Sequence, residues 1–326
     1  MQNQYTFNCK PTDIYIQIDS WLYSNELKNI VKAFGGTFPK TSNRYETAKW
    51  LLKFSECWDY RNHQKQARDK KTGENARWQI SSSKITEAQK SAVINGIYAL
   101  GLIGIHRPSK TDFDYIVALG GARFSCLYRP RYMYKLITEY GITAKAAVLL
   151  SGMRPISESE RLATDTYAPN AATEYDLINA GGEQSFELPA NYREEIYHHE
   201  NPNKSWAVRT YDTPSNVLPL FSLSGPSSDP EKRRANSADT YQFFLEKFNV
   251  KSGQKLLLIT SQIYVPYQQI EALRTLAVPN GLYIETVGFP VEWSNQLQGM
   301  MEPANYLQEI RSTIQAINRY LDAVKI

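Results

Sequence analysis

Short apolar runs that end in glycine, serine or arginine constrain the fold of this chain more than any other feature. One run, Tyr115–Leu119, stops at the pair Gly120-Gly121, and Arg123 follows after one further residue. Two more runs of the same kind end at Ser151-Gly152 and at Ser261-Gln262. Apolar runs of this length without polar alternation are typical of strands that are buried on both faces of a sheet.

From Thr111 onward, strand patterns alternate with helical patterns. The sequence predicts five strands, at Tyr115–Leu119, Ala146–Leu150, Trp206–Tyr211, Lys255–Thr260 and Leu282–Val287. Helices are predicted between and after them, over residues 130–140, 171–180, 237–248, 266–276 and 303–324. This alternation predicts an α/β protein with a doubly wound, mostly parallel, Rossmann-like sheet.

Local turn signals set the expected boundaries of these helices. Pro130 is placed in the first turn of its helix, where its missing N–H has no intrahelical partner to lose. The pair Gly181-Gly182 is expected to stop the helix that begins near Ala171. The segment Pro214–Arg234, rich in proline and serine, is interpreted as a loop.

Residues 1–110 show helical periodicity and no alternation with strands. We therefore expect two parts, an N-terminal helical region at 1–110 and a Rossmann-like α/β domain at 111–326. The helical region is a candidate surface for a protein partner.

Composition limits the classes of partner. The 326 residues carry a net charge of +4, spread along the chain, which favours an anionic small-molecule ligand or no particular partner, and no nucleic acid. Three separated cysteines indicate a reducing compartment. The sequence has neither an apolar leader nor a run long enough to cross a membrane, so the expected location is cytoplasmic.

The carboxyl ends of parallel strands lie at one edge of a sheet, so the polar residues at these ends should meet in one crevice. Glycine amides there would approach an anion, and guanidinium groups would bind phosphate or carboxylate in paired contacts. Surface salt bridges are the alternative role for the arginines. The candidate ligand-binding residues on these grounds are Gly120, Gly121, Arg123, Arg129, Arg131, Ser151, Gly152, Arg154, Ser261 and Gln262.

The order of these motifs resembles the family typified by SanA, ElyC and YdcF. The residues that carry the resemblance are Asp114 before the Leu-Gly-Gly turn, Arg131-x-x-Tyr-Lys-Leu-Ile, Leu-Leu-Ser151-Gly152, Thr173-Glu174, Ser237-Ala-Asp-Thr240 and Leu-Leu-Ile-Thr260-Ser261. The resemblance covers about residues 112–320. It implies a Rossmann-like domain with a polar site at the strand ends, and it adds Glu174, Ser237, Thr240 and Thr260 to the candidate residues. One member of that family is associated with binding S-adenosylmethionine.

This chain departs from that family at Gln262-Ile-Tyr264, where relatives carry a basic residue or a histidine. No serine–histidine pair or metal-ligand spacing is present in the crevice segments, so no metal centre is predicted. Mg²⁺ beside a bound phosphate, held by Glu158, Glu160 and Asp165, stays open as an alternative to a solvated acidic loop. The candidate catalytic acids or bases are Glu174 and Asp239, each of which could instead serve only a helix N-terminus.

The sequence thus predicts an enzyme that acts on a nucleotide-type or other phosphate-bearing ligand by group transfer or hydrolysis. Two alternatives are a non-catalytic module that binds or senses a nucleotide or S-adenosylmethionine, and an S-adenosylmethionine-dependent transferase. The cofactor is not fixed by the sequence.

Overall fold

A computed structural model describes residue 4 and residues 13–60, 80–188, 191–213, 218–293 and 301–324. The chain folds into two compact units. The sheet unit consists of Arg107–Ser261 and Thr275–Phe289. The helical unit consists of Met1–His106, Gln262–Arg274 and Pro290–Ile326, as far as these ranges are described.

The sheet unit is built on seven strands in the order β3-β4-β5-β2-β1-β6-β7. They are β1 (Tyr115–Leu119), β2 (Ala146–Ser151), β3 (Tyr192–Tyr197), β4 (Trp206–Tyr211), β5 (Leu220–Ser224), β6 (Lys255–Ser261) and β7 (Tyr283–Phe289). All neighbours pair in parallel except β3 with β4 and β4 with β5. The predicted fold class, a mostly parallel α/β sheet with an N-terminal helical region, is confirmed.

The principal helices, numbered along the whole chain, are α1 (Ile14–Leu22), α2 (Asn25–Ala33), α3 (Arg44–Phe54), α4 (Glu87–Gly96), α5 (Ser125–Thr138), α6 (Glu158–Thr164), α7 (Glu174–Ser185), α8 (Ser237–Phe248), α9 (Val265–Ala272) and α10 (Pro303–Ala323). Capping boxes start α6, α7 and α8, with Ser157, Thr173 and Asn236 as the N-cap residues. Each N-cap side chain accepts a hydrogen bond from a backbone N–H of the first turn, which fixes where these helices begin.

The interpretation of Pro214–Arg234 as a loop is wrong in part, because β5 lies inside it and pairs with both β2 and β4. The sequence of β5 is Leu-Phe-Ser-Leu-Ser, and its serines interrupt the apolar run. Strand β3 was also missed, since all six of its residues are exposed and most are polar. The number of strands in the described chain is therefore seven instead of the predicted five.

Two predicted helix boundaries are corrected by the packing of α5 against α7. Helix α5 begins at Ser125, so Pro130 lies inside it and cannot donate to the Cys126 carbonyl one turn earlier. That carbonyl faces Gly181 of α7, where a Cβ atom would overlap its oxygen and lie 3.0 Å from Leu127 Cα. The pair Gly181-Gly182 therefore does not end the helix, which continues to Ser185; at Gly181 glycine is required for close approach of two helices.

The helical unit contains α1–α4 together with α9 and α10. Helix α10 is held to the N-terminal part by buried polar contacts: Arg311 Nε lies 3.2 Å from Asp59 Oδ2, and Asn318 Nδ2 donates to Ala48 O at 2.9 Å. The sequence suggested a helical region that ends at residue 110. The helical unit of the structure also includes the C-terminal helix, which groups with the N-terminal helices. None of the described helices has the length and apolar character needed to span a bilayer.

Candidate functional site

Four small residues form a row at the carboxyl edge of the sheet, on the face covered by α5 and α7. Ser151 of β2 is directly paired with Ser224 of β5. Gly120 continues the β1–β2 register beyond the pair Leu119–Leu150, which places it beside Ser151, and Ser261 ends β6 on the other side of β1. The row is therefore Ser261, Gly120, Ser151 and Ser224.

Two hydroxyl groups of this row are buried and available. Ser151 is 3% exposed and Ser224 is fully buried, and neither Oγ atom has a hydrogen-bond partner among the described residues. The hydroxyl of Thr260, which lies on the face of β6 opposite to Ser261, is also buried without a hydrogen-bond partner among the described residues. Buried polar groups are nearly always satisfied in folded proteins, so the two neighbouring hydroxyls of Ser151 and Ser224 are candidates for contact with water or a ligand.

The side chain of Glu174 fills the space above Gly120. Glu174 is the first residue of α7, and a Cβ atom at Gly120 would overlap its Oε1 atom. The N–H of Gly120 donates to Leu150 O at 2.6 Å and so is used within the sheet. The glycine at this position thus makes room for a carboxylate; it does not offer its amide to an anion, as the sequence had suggested.

Arg154 holds Glu174 and a second carboxylate, Glu160. Its Nε atom donates to Glu174 Oε2 at 3.0 Å, while Nη1 and Nη2 form a paired contact with Glu160 at 2.8 and 2.9 Å. The loop after β2 is also fixed through its backbone, because Glu174 N donates to Arg154 O at 2.8 Å. The Arg154 guanidinium therefore positions a buried carboxylate and is not turned towards solvent.

Burial raises the pKa of Glu174 above its ordinary value, and the positive charges of Arg154 and Arg129 reverse only part of this effect. Burial acts in the same direction on Glu160, but there hydrogen bonds from Arg154 outweigh it and lower the pKa. The two carboxylates that share one arginine are thus shifted in opposite directions. Of the two, Glu174 is the carboxylate whose pKa is shifted towards neutral pH, a property common at functional sites.

Arg129 lies at the switch point of the sheet, where β1 and β6 are neighbours but are not consecutive in the chain. It is only 3% exposed. Its Nη1 donates to Leu119 O at 2.7 Å and also to Gly120 O, and its Nη2 donates to Ser261 Oγ at 3.2 Å. The guanidinium therefore joins the ends of β1 and β6 and places a positive charge beside Gly120.

The second glycine of the pair is packed against this guanidinium. A Cβ atom at Gly121 would lie 2.9 Å from Arg129 Nη1. The Gly121 carbonyl accepts a hydrogen bond from the Cys126 thiol at 3.1 Å, and burial raises the pKa of that thiol to about 12. Cys126 is consequently a protonated, buried side chain and not a nucleophile.

The start of α8 lies over the end of β5. A Cβ atom at Gly225, directly after β5, would lie 3.4 Å from Thr240 Cα. The Thr240 hydroxyl donates to Ser237 O at 3.0 Å, and Ser237 itself is exposed. Thr240 is therefore near the row, with its hydroxyl already engaged within the helix.

Asp239 is a structural residue of this helix start. It forms an ion pair with Arg233 and accepts hydrogen bonds from Asn236 N at 2.8 Å and Ser228 N at 3.2 Å. Although burial acts to raise the pKa of Asp239, these contacts lower it to about 2. A carboxylate held this firmly in the charged form is poorly suited to proton transfer near neutral pH.

We expect the Asp239 contacts to stabilise the fold only above acid pH. The pKa is lower in the folded chain than in the unfolded chain, so this stabilisation is present above about pH 4 and is lost as the pH falls towards 2. Asp239→Asn should therefore lower the free energy of unfolding at pH 6 by up to about 2 kcal/mol, and by progressively less towards pH 2.5. Arg233 is 37% exposed, so salt reduces the effect.

Urea denaturation across this pH range measures that difference. Asp229→Asn is the matched control, because Asp229 pairs with Lys232 on the surface, where the side chains are 43% and 82% exposed. The control is expected to stay within about 0.5 kcal/mol of the unsubstituted chain at every pH. If the difference in free energy of unfolding between the unsubstituted chain and Asp239→Asn did not shrink as the pH falls, the charged form of Asp239 would not be the source of the stabilisation.

The structure does not bring all the predicted residues together. Arg131 is exposed on α5, and Gln262 belongs to the helical unit, where its side-chain amide donates to Ile105 O at 3.1 Å. Arg123 is half-buried with a left-handed backbone (φ 51°), and burial lowers its pKa although the charge of Glu160 opposes this. Nothing lies within 4 Å of where a Cβ atom of Gly152 would be, so that residue borders open space.

Sequence reasoning missed the position of Ser224 and the pairing role of Glu160. Ser224 was hidden because β5 was taken for a loop. The Ser157-x-x-Glu160 pattern is a capping-box signal that could have placed Glu160 at the start of a helix. Within the described residues, no group of three or more His, Cys, Asp or Glu side chains could hold a metal ion.

The fold and this edge define an open α/β protein of the Rossmann-like type, with its candidate site at the switch point of the sheet. Residues 6–101 match the family described as the Rv3785 N-terminal domain. The chain is 33% identical over 322 residues to proteins of Mycobacterium tuberculosis and Mycobacterium bovis named "Uncharacterized protein Rv3785" and "Uncharacterized protein Mb3814", covering 94% of this chain and 89% of theirs. The chain therefore belongs to the Rv3785 family. No solved structure matches it.

Proposed function

We propose that the sheet unit binds a phosphate-bearing small ligand of the nucleotide type at the carboxyl edge of its strands, and that Glu174 acts as acid or base in group transfer or hydrolysis there. The observation that carries the proposal is the placement of a buried carboxylate of raised pKa above Gly120, beside the unsatisfied hydroxyl of Ser151. General acid–base groups with shifted pKa values commonly contribute about 10²- to 10⁴-fold to rate.

Charge at the edge favours an anion. Arg123, Arg129 and Arg154 are opposed by the carboxylates of Glu160 and Glu174, so three guanidinium groups against two carboxylates leave one net positive charge. Protonation of Glu174 would raise it further. A fixed positive charge at the switch point would stabilise a phosphate and the negative charge that develops on it during transfer.

The hydroxyls of Ser151 and Ser224 would orient the ligand, and Glu174 would take a proton from the attacking hydroxyl or water and return it to the leaving group. The resemblance to the SanA, ElyC and YdcF family supports the same edge, and it makes S-adenosylmethionine a ligand to test. A non-catalytic binding module is the second candidate. What favours it is that Arg154 already pairs with Glu174 and Glu160 inside the protein.

The test begins with ligand-dependent thermal stabilisation of the full chain by ATP, S-adenosylmethionine, sugar phosphates and inorganic phosphate, each with and without Mg²⁺. Product analysis of every stabilising compound follows. Glu174→Gln is expected to reduce turnover by at least about 100-fold while the Kd changes less than about threefold, because the substitution removes a proton-transferring group but keeps its shape.

Glu158→Gln is the matched control, since Glu158 is exposed on α6 and pairs with Arg161. It should leave both turnover and Kd unchanged. Binding without any product, unaffected by Glu174→Gln, would favour the binding module. The absence of stabilisation by every compound would overturn the proposed ligand class.

A further inference from the structure

Strand β3 forms one edge of the sheet, and no described strand pairs with its outer side. All six of its residues are exposed, including the large side chains of Tyr192, Ile196 and Tyr197 at 37%, 44% and 46%. An exposed edge strand presents a row of backbone N–H and C=O groups that can pair with another strand. Its charged residues are of both signs, Arg193 with Glu194 and Glu195.

Two-fold symmetry restricts how such a strand can pair with its own copy. Directly opposite residues in an antiparallel pair either both point their backbone groups at each other or both point them away. Along a strand, the backbone N–H and C=O groups of successive residues point alternately towards and away from the neighbouring strand. In a pair of identical strands, the sequence numbers of two opposite residues must therefore differ by an even number. The symmetry axis therefore passes through a residue and never between two residues.

Only one of these registers pairs Arg193 with a glutamate of the second copy, since an axis through Tyr192 or Ile196 does not bring Arg193 opposite Glu195. An axis through Arg193 would place two arginines face to face, and an axis through Glu195 would place two glutamates face to face. An axis through Glu194 places Arg193 opposite Glu195 of the second copy, and Tyr192 opposite Ile196, twice each. Opposite-charge and aromatic–aliphatic pairs directly across strands are favourable.

The residue on that axis is ion-paired within its own chain. Glu194 Oε1 accepts from Arg209 Nε at 2.9 Å and from the Tyr175 hydroxyl at 3.0 Å. The guanidinium of Arg209 is held by Glu183 as well, at 2.9 Å. Each copy of Glu194 therefore brings its own Arg209 to the axis, and this positive charge, shared with Glu183, offsets part of the repulsion between the two carboxylates.

The complementary charges are free enough to form the new pairs. Side chains alternate along β3, so Arg193 and Glu195 lie on the face opposite to Glu194. The Glu195 side chain is 76% exposed, and its contact with Lys247 Nζ of α8 is long, at 4.0 Å. This contact is loose enough to be exchanged for, or shared with, an arginine from a second strand.

We propose that this chain forms a symmetric dimer in which β3 pairs antiparallel with β3 of a second copy, in the register centred on Glu194. The two sheets then continue into one another. The proposal rests on the β3 edge alone and does not depend on the function of the carboxyl edge.

Sedimentation equilibrium of the full chain measures the dimer dissociation constant. Arg193→Glu and Glu195→Arg, each alone, place like charges opposite one another twice and are expected to weaken dimerisation at least about tenfold. The double variant R193E/E195R restores opposite charges in the same register. It should return to within about threefold of the unsubstituted dimer.

Lys232→Glu is the control for a change of net charge, because Lys232 is 82% exposed and lies outside the strand; it should leave dimerisation unchanged. Far-UV circular dichroism and thermal unfolding show whether each variant is folded. A monomeric chain at 100 µM, a dimer insensitive to both single reversals, or a double variant as weak as the single variants would each overturn the proposal.

Discussion

Replacing Gly120 with alanine is expected to lower the free energy of unfolding by about 2 to 3 kcal/mol. The added methyl group would overlap Glu174 Oε1 and lie 2.8 Å from Ser151 Cβ and 3.0 Å from Ser151 Cα. The last of these atoms belongs to the backbone of a central strand, which cannot move without disturbing the β1–β2 ladder. Urea denaturation at pH 7 measures the loss.

Gly152→Ala is the matched control, since nothing lies within 4 Å of the Cβ atom that it adds. That variant should differ from the unsubstituted chain by less than about 0.5 kcal/mol. Combining Gly120→Ala with Glu174→Ala removes one of the overlapping groups, so the two effects should be less than additive. A Gly120→Ala chain as stable as the Gly152→Ala chain would show that Glu174 does not occupy the space above Gly120.

The same glycine shows what the sequence can and cannot reveal about the site. The pair Gly120-Gly121 after an apolar strand predicted close approach at the sheet edge, and close approach is what the structure has. The approaching groups are the protein's own Glu174 and Arg129. Which groups meet there depends on the path of the loops after β2 and before α7, and residue periodicity carries no information about that path.

The strands show the same limit for the fold. Strands β1 and β2 were predictable because burial on both faces requires continuous apolar runs. Strand β5 is central in the sheet but carries two buried serines, and β3 is polar because it forms an exposed edge. A pattern based on hydrophobicity detects buried apolar strands, so it fails for these two strands for opposite reasons.

Tertiary packing also decided where helices begin and which unit they join. Pro130 lies inside α5, and the carbonyl that it leaves without a helical N–H faces Gly181 of α7. A helix over residues 303–324 was predicted, yet the place of α10 beside the N-terminal helices follows from contacts such as Arg311 with Asp59, which are 252 residues apart. A short sequence window never contains both partners of such a pair.

Replacing Arg154 with methionine is expected to have the largest effect on stability, about 3 to 5 kcal/mol at pH 7. Methionine keeps much of the volume but removes the charge that Glu160 and Glu174 share, and the side chains of these carboxylates are only 3% and 15% exposed. Arg161→Met is the matched control. Its pair with Glu158 is exposed at 47% and 55%, so a loss below about 0.5 kcal/mol is expected.

The pH dependence identifies the cause of this loss. Without Arg154, we expect burial to outweigh what still favours the charged forms, Arg129 beside Glu174 and the Ser157 hydrogen bonds to Glu160. Both pKa values should then lie above that of an unfolded glutamate. A folded state with raised carboxyl pKa values gains stability as the pH falls from 7 towards about 4.3. In the unsubstituted chain the lowered pKa of Glu160 removes stability only as the pH falls below about 4.3. Between pH 7 and pH 5 the two stability curves should therefore converge because the variant gains more stability. Urea denaturation of both chains from pH 7 to pH 5 tests this. Lost packing, and not buried charge, would be responsible if the loss in free energy of unfolding stayed constant over this range. The same conclusion would follow if the triple variant R154M/E160Q/E174Q were no more stable than R154M.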